Sequence, residues 1–286
     1  MIIDIVASPP HRDVLMGLLQ PASHLSGYYD LYSFDESMVE YIKGFKVEDY
    51  LAMMDAAGVD ITVLHGEDQE TTFAKKIPNE IVARLVEEYP HRFLGFAGVD
   101  PHKGKEAVAT LEHAVEEMGM VGAMISPWEH LLFSDDERYY PIYERCIEYD
   151  IPIWIHASVN FSPQIPLEYG HPLKLDRVAV RYPGLKIIAG HAGWPWVTEM
   201  VAVAWRHRNV YMDISGVRQK YMGMPDTGWG PLIHYGNSVL QDKILFGTAW
   251  PLLDPGRAVA DVKALPLKDE VKAKWLGENA RGLLGL

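Results

Sequence analysis

Phe93-Leu94-Gly95-Phe96-Ala97-Gly98-Val99, the amphipathic stretch Lys105–Met118 and Val121-Gly122-Ala123-Met124-Ile125-Ser126 spell one strand–helix–strand unit. The two outer runs are apolar throughout rather than alternating, the pattern of parallel strands covered on both faces. Gly119 ends the helix between them. The same rhythm recurs along the chain. Strands are predicted at Ile2–Val6, Ile61–His65, Phe93–Val99, Val121–Ser126, Pro152–His156, Lys186–Gly190, Val210–Ile214 and Lys243–Gly247. Further helices are predicted at Val47–Ala57, Asn79–Tyr89 and Glu137–Tyr149. Tyr89-Pro90-His91-Arg92-Phe93 and Tyr182-Pro183-Gly184-Leu185-Lys186 each close a helix and open a strand, and Gly58 closes another helix.

Eight such units without a linker or composition break predict an α/β protein with one (β/α)8 TIM barrel over residues 1–286. No Gly-x-Gly-x-x-Gly follows the first strand, which argues against a doubly wound open sheet. Two connections are long. Ala7 to Lys46, with Gly27-Tyr28-Tyr29-Asp30-Leu31-Tyr32 inside it, reads either as a lid over the barrel mouth or as a packed helical insertion. Pro225–Leu240 reads as a smaller helix-rich cover of the same mouth.

Twenty-six Lys+Arg against 39 Asp+Glu in 286 residues leave a net charge of −13, which repels phosphate backbones and anionic lipid heads. Nucleic acid and membrane surfaces are thereby disfavoured as partners, and a small molecule is the expected one. Hydrophobic residues at 48% are enough for a folded core. Cys146 is the single cysteine, so no internal disulfide can form; its helical setting suits buried filler, and the reading is cytoplasmic. Met1-Ile2-Ile3-Asp4-Ile5-Val6 lacks a basic region and a cleavage site, and no apolar run approaches the ~18 residues of a membrane helix.

Catalytic groups of such barrels stand at the C-terminal ends of the strands. There the sequence offers Ser8 after strand one, His65-Gly66-Glu67 after strand two and Asp100-Pro101-His102 after strand three. Ser126-Pro127-Trp128-Glu129-His130 follows strand four and His156-Ala157-Ser158 strand five. Then come His191-Ala192-Gly193-Trp194, Ser215-Gly216 with Arg218, and Thr248-Ala249-Trp250-Pro251. Arg218 is a candidate clamp for a carboxylate. Trp128 and Trp250 are candidate walls for a flat substrate, while Ser8, Ser126 and Ser158 are candidate hydrogen-bonding contacts. Trp194, Trp196 and Trp229 are further indoles near strand ends or in the late insertion. His11, Arg12 and His24 in the first connection are within chain reach of the mouth. His91, His113, His171 and His207 read as helix or helix-end residues.

These residues together resemble the amidohydrolase-related family that includes aminocarboxymuconate-semialdehyde decarboxylase. The likeness runs through Asp4, Arg92–Ala97 with Asp100-Pro101, Tyr140-Pro141-Ile142-Tyr143, Pro152–His156, Gly190–Gly193, Phe246-Gly247-Thr248-x-Trp250-Pro251 and Asn279-Ala280. It implies a metal-dependent-hydrolase-like barrel, often oligomeric, in which a divalent metal serves hydrolysis, decarboxylation or hydration of small carboxylated compounds. The family pattern has two histidines on strand one and an Asp on strand eight; here those positions hold Val6, Ser8 and Ala249. The strand-five and strand-six histidines remain as His156 and His191. One imidazole cannot hold Zn²⁺, which wants three or four N, O or S ligands. The sequence therefore predicts a cofactor-free enzyme, with a relocated Zn or Mn site of His65, Glu67, His156 and His191 as the alternative. The first expectation is a metal-independent hydrolase of an activated C–O or C–C bond (thioester, lactone or β-dicarbonyl), with His156 and His191 as acid and base. The alternatives are a carboxy-lyase of an aromatic or muconate-like acid and a non-catalytic ligand-binding barrel.

Overall fold

The computed structural model describes residues 1–18, 23–25 and 36–286. Eight parallel strands form one sheet in the order β1 (Ile3–Ala7), β2 (Ile61–His65), β5 (Phe93–Gly98), β6 (Gly122–Ile125), β7 (Ile153–His156), β8 (Ile187–Gly190), β9 (Val210–Asp213) and β10 (Ile244–Leu245). The sheet closes on itself. Ile5 N donates to Phe246 O, Ala249 N to Val6 O and Ser8 N to Trp250 O, at 2.8–3.0 Å. The apolar runs thus mark all eight barrel strands, displaced from the predicted bounds by only a residue or two at most ends.

The barrel interior is filled rather than hollow. Ile3, Ile5, Val63, Phe96, Trp154 and Leu245 form one buried cluster within it. Two glycines admit the large rings: a Cβ on Gly122 would lie 2.4 Å from the Phe96 ring, and one on Gly190 2.2 Å from the Trp154 ring. A second cluster joins the outward faces of the strands to the surrounding helices, and Tyr50, Tyr139, Tyr143 and Trp275 are fully buried there. Cys146 belongs to it, and burial pushes its thiol up to about 12, so it is packing material.

A small antiparallel hairpin, β3 (Glu67–Gln69) with β4 (Lys75–Ile77), leaves the end of β2. Sequence periodicity misses it because its strands are three residues long and mostly charged. The first long connection contains helices Arg12–Leu18 and Glu36–Gly44 and the short turn Ser23–Leu25. The motif Gly27–Tyr32 lies outside the described residues. The late segment does not cover the mouth. Its helix Gly230–Gly236 sits beside helix Val197–Arg206, and Trp229 and Leu232 are buried in the outer cluster.

Asp4, fully buried, ties the first strand to the last. Its carboxyl accepts from Thr248 N at 2.9 Å and Thr248 Oγ1 at 2.6 Å, and from Val6 N at 3.3 Å. Burial raises this carboxyl from 3.8 to about 7, outweighing the Thr248 and Val6 hydrogen bonds that lower it. The folded state therefore holds the proton more tightly than the unfolded chain, and stability contributed by the neutral form is lost as pH rises from 3.8 towards about 7. Urea unfolding is expected to show stability falling across that window in the wild type and a flatter profile in Asp4→Asn. An unchanged slope in the variant defeats this account. Asp4→Ala strands the amides of Thr248 and Val6 and is expected to cost about 2–5 kcal/mol.

Candidate active site

The C-terminal ends of the strands converge on a cavity of about 180 Å³. Val6, Met124 and Trp154 from inside the barrel form part of its wall, and Trp128 and Leu252 another part. Its polar lining includes Ser8, His65, Ser126, His156 and His191, together with Glu67, Lys75 and Glu129.

His156 ends β7, and His191 directly follows β8. Because β7 and β8 are paired neighbours, the two rings meet, 5.1 Å apart and nearly edge-on at 72°. Trp154 lies edge-on to His191 at 5.3 Å, and Trp128 is tilted against His156 at 5.8 Å. His191 Nδ1 stands 3.1 Å from the Ser215 carbonyl and 2.8 Å from Ser215 Oγ. A carbonyl only accepts, so this contact calls for a proton on Nδ1 and leaves Nε2 of the neutral ring as its acceptor. The backbone is strained to achieve this: His191 and Ala192 are left-handed, with φ of 63° and 48°. Gly216, at φ +73°, leaves the room that the ring occupies, since a Cβ there would sit 2.7 Å from His191 Nδ1.

Burial lowers the imidazolium pKa of both rings. For His191 it is partly offset by Asp213 and the Ser215 carbonyl; for His156 the neighbouring His191 adds to it, and the value falls well below the usual range. His156 Nε2 approaches Ser158 Oγ at 3.4 Å, while its buried Nδ1 has no hydrogen-bond partner among the described residues.

Across the hairpin and the short helix Pro127–His130 runs a buried charge network. Lys75 Nζ lies 2.6 Å from Glu67 and 2.8 Å from Glu129, and His24 Nε2 lies 3.3 Å from Glu129. Burial alone would lower the Lys75 ammonium, but Glu129 and Glu67 raise it well above the usual lysine range. Burial likewise would raise Glu129, yet Lys75 and His24 hold it well below the usual carboxylate range. His65, its imidazolium disfavoured by burial, has Nδ1 3.6 Å from Glu67 Oε1 and without a hydrogen bond among the described residues.

Of the residues singled out in the sequence, Ser8, Ser126, Trp128, His156 and His191 share this cavity, and Ser158 lines a small recess beside the two histidines. Two others do not. Arg218 makes a two-pronged contact with Asp261, Nε at 3.2 Å and Nη2 at 3.1 Å, so its guanidinium is already occupied by a carboxylate of the chain. Trp250 is buried against Tyr50, 4.6 Å away, and Phe45, 5.3 Å away; Ala249, Pro251 and Leu252 face the cavity in its place. Of the first-connection residues, His24 is buried against Glu129, whereas the His11 ring accepts from the nearby Asp13 amide. Lys75, Leu25 and Trp154 also line the cavity and were not predicted to do so. Trp154 is recoverable from alternation, because it shares its strand with His156 two residues on. Lys75 is not, since nothing in its surroundings marks the hairpin.

The positions that the family resemblance assigns to a metal are gathered here, but as Val6, Ser8, His156 and Ala249. The alternative set named from the sequence is gathered here too. His65, Glu67, His156 and His191 all line the cavity, yet among the described residues no group of three or more His, Cys, Asp or Glu is arranged to hold an ion. Glu67 is instead held by the Lys75 ammonium. Among the described residues no helix is long and apolar enough to cross a membrane.

Residues 22–286 match the profile of the family described as Amidohydrolase. The chain is similar to a gamma-resorcylate decarboxylase of Rhodococcus jostii (strain RHA1), 24% identical over 251 residues that cover 73% of this chain and 75% of that protein. Among solved structures it is similar to an uncharacterised TIM-barrel protein of Bordetella bronchiseptica, with a TM-score of 0.82, 27% identity, and 99% and 98% of the two chains covered. The fold also matches a dihydroxybenzoic acid decarboxylase of Polaromonas sp. JS666 with bound manganese and the inhibitor 2-nitroresorcinol (TM-score 0.70, 20% identity, 100% and 97% covered). With nearly its whole length matched by the family profile and its eight parallel strands closed into a barrel, this chain belongs to the amidohydrolase family.

Proposed function

We propose that this protein is a carboxy-lyase that removes CO₂ from a small, electron-rich aromatic or muconate-like acid, with His191 supplying the proton that takes the carboxyl group's place. The observation that carries the reading is the His156–His191 pair, 5.1 Å apart in an aromatic-walled cavity of about 180 Å³. A cavity of about 150 Å³ takes up benzene, so a single substituted ring suits this one. Sequence alone ranks hydrolysis first. The relatives named as decarboxylases reverse that order.

The proposed reaction uses no metal. Val6, Ser8 and Ala249 bring at most one hydroxyl at the positions where the family resemblance implies metal ligands, and Zn²⁺ requires three or four donors. Lys75 is already engaged by two glutamates and Arg218 by Asp261. A bound carboxylate is therefore balanced by a proton taken up on His191 Nε2. That proton moves to the ring carbon bearing the carboxylate. The C–COO⁻ bond then breaks, its electron pair returns to the ring, CO₂ leaves, and His191 is left neutral. A hydroxyl ortho or para to the carboxylate makes that carbon basic enough to accept the proton. Trp128 and Trp154 hold the ring and exclude water.

One observation favours hydrolysis as the second reading. Burial keeps both histidines neutral, which suits His191 Nε2 as a base towards water. The pH profile separates the two. The lyase needs protonated His191 in the free enzyme, so its kcat/KM is expected to fall as pH rises through a pKa below the usual 6.5. The hydrolase needs the neutral ring, and its kcat/KM rises over the same range.

Purified protein is expected to release CO₂ from 2,6-dihydroxybenzoate or another 2-hydroxybenzoic acid, and His191→Ala to lose about 10²-fold or more in kcat. Turnover of lactones or thioesters with no CO₂ release from such acids overturns the lyase reading. Ring binding without turnover of either class leaves the non-catalytic barrel. Dialysis against a chelator is expected to leave activity unchanged, and a strict requirement for added Mn or Zn defeats the metal-free mechanism.

A further inference from the structure

The proton-transfer pair uses the ends of β7 and β8 but leaves the other charged wall of the cavity, built by β3, β4 and helix Pro127–His130, without a task. That wall carries Glu67, Lys75 and Glu129. The Lys75 ammonium has three N–H donors; Glu129 Oε1 accepts one at 2.8 Å, while Glu67 Oε2 is ion-paired with the ammonium at 2.6 Å but has no directed hydrogen bond among the described residues. At least one donor is left, and the Lys75 side chain is 23% exposed within the cavity lining. With His24, 3.3 Å from Glu129, counted as neutral, formal charges sum to −1, one ammonium against two carboxylates. A third carboxylate brought to this wall meets net repulsion, whereas a neutral group that both donates and accepts finds a partner for each role. His65 Nδ1, buried and without a hydrogen bond among the described residues, stands 3.6 Å from Glu67 Oε1 and adds an unpartnered polar atom to the same wall.

We infer that Glu67, Lys75 and Glu129 form a hydroxyl-selecting subsite. A phenolic hydroxyl of the substrate donates to a Glu67 or Glu129 oxygen and accepts a remaining Lys75 N–H. The carboxylate of the same molecule is turned away from this wall and towards the histidines. The subsite thus sets both the substituent pattern and the orientation of the ring. This rests on the preceding reading only in taking the cavity as the place where substrate binds.

Calorimetric titration of the full chain with phenol, anisole and benzoate tests it without any need for turnover. Wild type is expected to bind phenol about tenfold or more tightly than anisole, because a buried donor–acceptor site penalises the methoxy analogue. Glu129→Gln, which removes one negative charge and keeps the Lys75–Glu67 pair, is expected to tighten benzoate binding about tenfold. Lys75→Met strands two buried carboxylates, so Lys75→Met/Glu129→Gln serves as the second variant: it preserves the net charge of −1 but has no ammonium donor. In that variant the preference for phenol is expected to fall to about threefold or less. Equal binding of phenol and anisole by wild type overturns the subsite even if CO₂ release is observed. A phenol preference that persists unchanged in the double variant also overturns it. The expected preferences in a protein that releases no CO₂ leave the subsite standing and remove only the lyase reading.

Discussion

A single buried carboxylate organises the catalytic end of this barrel. Asp213, at the end of β9 and fully buried, accepts the Trp154 indole N–H at 2.6 Å on one oxygen and the Ser215 amide at 2.8 Å on the other. The first contact fixes the ring that fills the barrel and walls the cavity. The second sets the turn whose carbonyl and hydroxyl hold His191. Rotamer, tautomer and floor are therefore set together. Gly190 and Gly216 are the spatial counterpart of this arrangement, since a Cβ at either would intrude on Trp154 or His191. The left-handed backbone at His191 and Ala192 is strain that the packed barrel maintains, as is common where a side chain must face a ligand.

Charge is distributed unevenly around the same mouth. The histidine wall is neutral in the resting protein because burial disfavours the imidazolium form. The hairpin wall is ionic, and its ammonium and two carboxylates are kept charged by one another. Removing one partner from such a buried network is costly, so its members are structurally interdependent whatever ligand they meet. The chain's net charge of −13 is consistent with this division. A local surplus of acid persists at the mouth even though strand eight carries Ala249 at the position where the family resemblance implies an Asp.

Legibility in the sequence followed the length and polarity of each element. Strands such as Ile153–His156 and Ile187–Gly190 are buried on both faces, and that environment writes a continuous apolar run into the chain. The hairpin Glu67–Gln69/Lys75–Ile77 is short and charged, and no periodic signal distinguishes it from a loop. His156 and His191 were legible because strand ends point to the mouth by construction. Arg218 and Trp250 satisfy that rule by position but not by orientation. Asp261, 43 residues downstream, holds the guanidinium, and Tyr50 and Phe45, brought from the first helical layer, receive the indole.

Local chemistry alone determined that the chain alternates strands and helices, that the barrel ends in two surviving histidines, and that the side chains at positions 6, 8 and 249 are Val, Ser and Ala. These follow from residue type and spacing, which do not depend on distant partners. Tertiary structure decided the rest: that His191 presents Nε2, that Lys75 reaches Glu67 and Glu129, and that Arg218 and Trp250 are spent on internal contacts. All but the Lys75–Glu67 pair, whose members are eight residues apart across the hairpin, depend on groups tens of residues apart competing for the same hydrogen bond, ion pair or packing site. Such competition is settled only when the barrel closes and brings the competitors into reach.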